Sequence, residues 1–288
     1  MASLKDIRNR INSVSTTKQI TSAMKMVSAA KLKRAQDTIL QMRPYANKLE
    51  ELLINLSASL DSSSENIFSQ KREVKNVLLI AITSNKGLCG GFNSSIIKKV
   101  NEKIKLSYAN CNVKVLCVGK KGSDFFEKKS TLFESKHNGL FDDLTFENVA
   151  SLAEHIMNDY LSAKWDKVEI IYNQFKNAAV QLVLAEDFLP VKVEKKKENK
   201  TTADYIFEPD KQEIVKDLIP KSLKTQLYKT LLDSNASEHG ARMTAMHKAT
   251  DNASDLIYDL KLHYNKARQA AITNEILEIV GGAEALNN

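Results

Sequence analysis

The sequence predicts an α/β protein with two long helices: its N- and C-terminal segments pair as an antiparallel two-helix coiled coil, and a small α/β domain separates them along the chain. Three observations carry this. Both ends hold heptad-spaced seams. The middle switches to short β-branched runs alternating with amphipathic helical stretches. The first glycine of the 288-residue chain is Gly87, so no glycine breaks a helix before it.

The first element, residues 1–60, begins its seam at Leu4, Ile7, Ile11 and Val14. The seam continues through Leu32, Ala35 and Ile39 to Leu53, Leu56 and Leu60. Of seventeen positions in three-four alternation, thirteen are apolar, which specifies a long helix with one covered stripe. The four polar positions are consecutive: Lys18, Thr21, Lys25 and Ser28. There the apolar seam is predicted to be lost, and the helix to face something other than an ordinary apolar partner. Pro44 is predicted to kink or interrupt the helix, because it removes a hydrogen bond and crowds the preceding turn. Sixty helical residues span about 90 Å, whereas a compact body of this chain length has a radius of gyration of only about 19 Å. The helix is therefore expected to project and to pair with the other seam-bearing end.

The same element carries the net charge. Residues 1–34 hold Lys5, Arg8, Arg10, Lys18, Lys25, Lys31, Lys33 and Arg34 against Asp6, which accounts for the whole formal excess of +7. A basic rod on a near-neutral remainder implies an anionic partner: nucleic acid, lipid headgroups or an acidic protein surface.

The second element, residues 75–190, contains the strand-like runs VLLIAIT (77–83), VKVLCVG (113–119) and VEIIYNQF (168–175). FENVASLAEHIMNDYL (146–161) has helical spacing, and AAVQLVLAEDFLP (178–190) reads as an added hairpin strand. This alternation is that of a small Rossmann-like domain. Cys111, Val113, Val115 and Cys117 alternate like one face of a strand. With Cys89 the cysteines make an odd count without C-x-x-C, and they read as buried apolar residues rather than a disulfide frame or zinc site. No histidine has ligand spacing, so no metal is assigned.

The loop TSNKGLCGGFNSS (83–95) raises the question of a bound phosphate. A phosphate loop needs G-x-x-x-x-G-K-[ST]. Here Lys86 precedes Gly87, and Phe92 and Asn93 follow Gly91. The dinucleotide spacing also fails. Gly87, Gly90 and Gly91 are read as a structural turn from strand to helix, with no cofactor-binding role.

A charged connector, residues 191–212, contains KVEKKKENKTTAD. The last element, residues 213–288, is a second long helix with its seam placed at Met246, Ala249, Ala253, Leu256, Leu260, His263, Ala267, Ala270, Asn274 and Leu277. Asp251, Asp255 and Asp259 share one face and read as a solvated stripe with Lys248 and His263 in reach, not as a catalytic group. The methionines of TSAMKMVSAA (21–30) and ARMTAMHKAT (241–250) fit either core packing or an adaptable contact surface. Gly281 and Gly282 are predicted to stop the helix. The start of the chain shows charge at once and no apolar signal stretch. No run reaches the roughly 18 apolar residues of a membrane span, and a bacterial, cytosolic setting is expected.

Four stretches carry a family resemblance. KDIRNRINSVSTTKQITSAMKMVSAAKLKRAQ (5–36), KGLCGG within SNKGLCGGFN (84–93), ARMTAMHKATDNAS (241–254) and NKARQAAITNEILEIVGGAEA (265–285) resemble the gamma subunits of bacterial F-type ATP synthases. Ile272, Thr273, Glu275, Glu278, Gly282 and Ala283 match the family signature I-T-x-E-x-x-E-x-x-x-G-A. The resemblance implies the central rotor shaft of the complex, without a catalytic site of its own. Its partners are a hexamer of alpha and beta subunits, the epsilon subunit and a ring of c subunits, with peripheral association on the cytoplasmic side of the bacterial plasma membrane. It implies beta-subunit contacts at Arg268, Gln269 and Thr273, and contacts at the foot near the c ring at Tyr205 and Glu208. Lys18 and Lys25 of the basic band are assigned to an acidic loop of beta. A redox switch like that of chloroplast relatives is not expected, since no cysteine pair lies between Pro190 and Ala241. Two rival readings rest on single features: a basic coiled coil that binds nucleic acid, which lacks any aromatic-interleaved basic motif, and a nucleotide-using enzyme built on the glycine loop.

Overall fold

The computed structural model describes residues 4–59, 68, 72–191 and 211–286. The elements in chain order are α1 (Leu4–Ser59), β1 (Asn76–Ile82), α2 (Phe92–Leu106), β2 (Asn112–Val118), α3 (Lys120–Phe126) and β3 (Phe133–Lys136). A 3-10 turn (Asn138–Phe141) follows, then α4 (Phe146–Leu161), β4 (Lys167–Phe175), β5 (Gln181–Leu189) and α5 (Lys211–Leu286). The chain divides into two compact units, residues 29–242 and residues 1–28 with 243–288.

In the larger unit the sheet order is β3-β2-β1-β4-β5. β1 pairs in parallel with β2 and β4, β2 in parallel with β3, and β5 returns antiparallel to β4. β1 is central, and both its faces are covered. Leu78, Ile80 and Ile82 pack with α4 through Val149, Leu152 and Ile156, and with α5 through Leu223, Leu227 and Leu231. Val77, Leu79 and Ala81 pack on the opposite side with Ile96 and Val100 of α2 and Phe126 of α3. Burial on two faces explains why NVLLIAI is a continuous apolar run rather than an alternating one. The same applies to β2. Val113, Val115 and Cys117 are buried together, but so are Leu116 and Val118 on the other face, and Cys111 lies just before the strand. Thr145 caps α4 by accepting a hydrogen bond from the amide of Asn148, which fixes where that helix starts. β3, α3 and the 3-10 turn are not in the sequence reading, because FESK and KKGSDFF carry too little apolar pattern to show them.

Also in the larger unit, Leu32, Ala35, Ile39, Ala46 and Leu49 of α1 are buried, as the predicted seam requires. Pro44 does not interrupt α1; it lies inside the helix and is exposed. Buried neighbours on the seam face outweigh the single lost hydrogen bond. Pro220 likewise lies inside α5.

In the smaller unit, α1 and α5 run antiparallel. Arg8 Nη2 donates to Tyr264 Oη at 2.9 Å, Thr21 and Thr250 share a hydroxyl hydrogen bond of 2.8 Å, and Lys25 Nζ lies 3.5 Å from His247 Nδ1. The helices depart from the sequence expectations at three points. First, the seam is not lost between Lys18 and Ser28. Thr21 and Ser28 are buried, with Ser28 Oγ donating to Met24 O at 2.8 Å, so small hydroxyls line it in place of aliphatic groups. Second, the covered stripe of α5 is Met246, Thr250, Ala253, Ile257, Leu260, Tyr264, Ala267 and Ala271. It shares every seventh residue with the predicted stripe and is displaced by one at the alternate positions, leaving Leu256 38% exposed. Third, Gly281 and Gly282 do not stop α5, which continues to Leu286. Two glycines cost only about 1 kcal/mol each relative to alanine in a helix already nucleated.

Candidate functional site

The glycine loop follows β1, at the carboxyl ends of β1 and β4. There the strand order reverses, and doubly wound sheets take their ligands at such a point. In this chain the position is filled from within. Asn173 of β4 is buried and donates through Nδ2 to Phe92 O at 3.2 Å. Asn93 Oδ1 accepts the Ser84 amide at 2.9 Å, and Asn93 Nδ2 reaches Ser84 Oγ at 2.8 Å and Cys89 Sγ at 3.2 Å. Ser84 Oγ donates to Lys86 O at 2.7 Å. Of the three predicted turn glycines, Gly90 takes a left-handed φ of 59°, Gly91 is the residue before α2 with φ −81°, and Leu88 also turns left-handed at φ 62°.

The loop's carbonyls face α5. Arg242, 7% exposed, donates through Nη2 to Lys86 O at 2.8 Å and to Gly87 O at 3.3 Å, and its Nε also reaches Gly87 O at 3.3 Å. The same guanidinium pairs with Glu238 at 2.7 Å and lies 3.4 Å from His239 Nδ1. Burial pushes the Glu238 carboxyl above the usual carboxylate range, against the pull of Arg242. Burial and the neighbouring Arg242 and Lys31 charges lower His239 to about 4, so it is neutral at physiological pH. The guanidinium donors are engaged by carbonyls and a carboxylate, and Glu238 would repel an anion. This is a clamp, not a phosphate cradle. Sequence reasoning missed both Arg242 and Asn173. A cation and an amide at positions that pattern analysis assigns to covered faces were the available signals.

Two residues before Arg242, α5 makes a second close approach. A Cβ at Gly240 would meet Ala178 Cα at 3.2 Å, so this glycine lets α5 approach the β4–β5 turn.

In the smaller unit, Lys18 and Lys25 are half-buried along the seam, whereas Lys5 and Arg10 are exposed. Ile20, Met26 and Val27 are exposed apolar residues on α1. The methionine ambiguity therefore divides: Met246 is core and Met26 is surface. Asp251, Asp255 and Asp259 are all exposed, and Asp251 pairs with His247 at 3.3 Å, not with the predicted Lys248. Arg268, Gln269 and Thr273 are exposed, with Thr273 Oγ1 donating to Gln269 O at 2.9 Å. Beyond Ala271 every described side chain of α5 is exposed. The run includes Ile272, Ile276, Leu277, Ile279 and Val280 at 48–72%. A helix end this apolar and this uncovered marks a contact surface. Tyr205 and Glu208 lie outside the described residues. Among the described residues no group of side chains could hold a metal, and no helix is long and apolar enough to cross a membrane.

Comparison with known proteins agrees with this arrangement. The family model described as ATP synthase matches residues 3–286. The ATP synthase gamma chain of Flavobacterium johnsoniae is 63% identical over 287 residues, covering all of both chains. A chain from the central stalk and c ring of the Tetrahymena thermophila mitochondrial ATP synthase is 28% identical, with a TM-score of 0.60, over 80% of this chain and 99% of that one. A chain from the Euglena gracilis mitochondrial ATP synthase shares the fold at a TM-score of 0.70 and 22% identity, over 98% of this chain and 94% of that one. A glycine loop clamped shut, two seam-locked helices and an identity of this extent from end to end have one reading: the chain belongs to the family of ATP synthase gamma chains.

Proposed function

We propose that the chain is the central rotor shaft of an F-type ATP synthase, coupling ion flow through the membrane c ring to ATP synthesis or hydrolysis in the alpha–beta hexamer. The observation that carries this is the uncovered apolar end of α5, Ile272 to Val280, on a helix whose preceding turns are locked to α1 by a seam. An apolar run left uncovered on a helix is an interaction surface, as a shaft seated within a partner requires. The chain is a non-catalytic subunit of the proton-translocating complex. Its partners are the alpha and beta subunits, epsilon and the c ring, and its membrane association is peripheral. We place it on the cytoplasmic side of a bacterial plasma membrane. Arg268, Gln269 and Thr273 are proposed to contact beta, supported by their exposure on α5, and Tyr205 and Glu208 to contact the c ring. No observation favours nucleic-acid binding.

Each beta subunit meets a different side of the shaft in turn, so differential contact shifts its population among nucleotide states. Lys18 and Lys25 are proposed to meet an acidic loop of beta through weak pairs of about 0–1 kcal/mol each, which can form and release repeatedly. Reversing Lys18, Lys25 and Lys31 together to glutamate is expected to leave ATP hydrolysis measurable while lowering ATP-driven proton pumping. The check is the ratio of the two rates in membrane vesicles; an unchanged ratio rejects the assignment. The function itself is tested by co-purification. Tagged chain should bring down an alpha–beta hexamer that hydrolyses ATP, and recovery of the chain alone, or with nucleic acid, refutes the proposal.

A further inference from the structure

Between α1 and α5 in the larger unit lies a small cavity of about 10 Å³, room for one water. Aliphatic side chains including Ile39 and Leu232 form most of its wall, with Arg43 of α1 and Lys229 and Asp233 of α5. Asp233 is only 4% exposed, and its Oδ1 has no hydrogen-bond partner among the described residues. The same stretch of α5 buries the hydroxyls of Ser234 and Ser237, also without a hydrogen-bond partner among the described residues. β5 contributes Glu186, which holds Tyr172 Oη of β4 at 3.0 Å and Gln226 Nε2 of α5 at 2.6 Å. The charged and titratable groups that act on Asp233 are therefore Lys229 on its own helix, Arg43 from α1 and Glu186 from β5, with Tyr172 behind Glu186.

We propose that Asp233 is a proton-operated joint between α1 and α5: uncharged, it lets the helices pack with the cavity closed; charged, it draws in water and loosens that packing. The geometry supplies the mechanism. A carboxylate with one oxygen unpaired inside a largely aliphatic wall is costly. The cavity is large enough to relieve it with a water held between Oδ1 and the Arg43 or Lys229 heads, which supply the second polar partner that such a water needs. A neutral carboxyl needs less and leaves the aliphatic contacts undisturbed.

The protonation balance has the matching sign. Burial pushes the Asp233 carboxyl up from 3.8 to about 6, with Lys229 and Arg43 pulling it down and Glu186 pushing it up. A group raised in the folded state contributes stability that is full below its unfolded value and is lost as pH rises through its folded value. The packing should therefore be tightest near pH 4 and lose this contribution by about pH 7.

Two measurements on the full chain decide it. Carboxyl carbon NMR should show Asp233 titrating with a midpoint near pH 6, moving down in Glu186→Gln; a midpoint near 4 overturns the proposal without any variant having to fold. Amide hydrogen exchange across residues 225–237, corrected for intrinsic rates, should lose at least about tenfold more protection between pH 5 and pH 7.5 in the wild type than in Asp233→Asn. Equal losses in the two proteins overturn the joint even if the midpoint is high.

Discussion

Replacing Arg242 by alanine should cost the chain about 3–5 kcal/mol, the usual loss when one member of a buried ion pair is removed and the other stays. Arg242 and Glu238 have side chains only 9% and 10% exposed. Removal leaves Glu238 charged and unpaired, and it frees Lys86 O and Gly87 O from their guanidinium donors. Two features separate this from generic damage. Glu238 already lies above the usual carboxylate range despite Arg242, so without the arginine it rises further. A raised folded value means stability that returns as pH falls, and the variant should therefore be relatively less impaired at pH 5 than at pH 8. Adding Glu238→Gln should then recover part of the loss, because the uncompensated charge is gone. Urea unfolding at both pH values measures all three chains. A loss below about 1 kcal/mol, or no dependence on pH, would show that the clamp contributes little. Arg242→Lys should fall between, since a lysine cannot span two carbonyls and a carboxylate with one rigid fork.

That clamp also marks where sequence reading reached its limit. The two long helices, the central strand Asn76–Ile82 and the helix Phe146–Leu161 were legible because each carries a long, one-signed pattern of apolar spacing. The C-terminal seam was legible only modulo one residue. Leu256 and Ile257 are both apolar, so composition could not choose between them. The choice is made by pairing, with Thr250 opposite Thr21 and Tyr264 opposite Arg8, and pairing is a tertiary fact. Tyr264 looks a poor seam residue until its hydroxyl and ring both meet the Arg8 guanidinium. Asn173 and Arg242 were illegible for the same reason. A buried polar side chain is decided by the partner that satisfies it, and the carbonyls that accept from Asn173 and Arg242 lie 81 and 156 positions away in sequence. The contact residues Arg268, Gln269 and Thr273 came from motif matching, which locates a residue without saying what covers it. The uncovered state of the apolar run just beyond them is likewise a tertiary fact: no described residue covers Ile272 to Val280.

Gly119→Ala should prevent the larger unit from folding, a loss greater than about 4 kcal/mol, where the sequence showed only a glycine at the end of a strand. Gly119 has φ 105°, a region that side chains rarely adopt. A Cβ there would lie 2.0 Å from Thr83 O and 2.6 Å from Thr83 C. Both are backbone atoms and cannot swing aside. Thr83 is itself fixed between the two parallel strands: its amide donates to Val118 O at 2.8 Å, and its Oγ1 accepts the Gly122 amide at 2.9 Å. Relief would have to separate β1 from β2 at their carboxyl ends, which opens the buried faces of Ile82 and Val118. Gly139→Ala is the matched control, since nothing lies within 4 Å of its Cβ position, and it should change stability by no more than about 0.5 kcal/mol. Soluble yield and the urea midpoint compare the two variants. Near-native stability of Gly119→Ala would mean that the ends of β1 and β2 can separate without loss of the core.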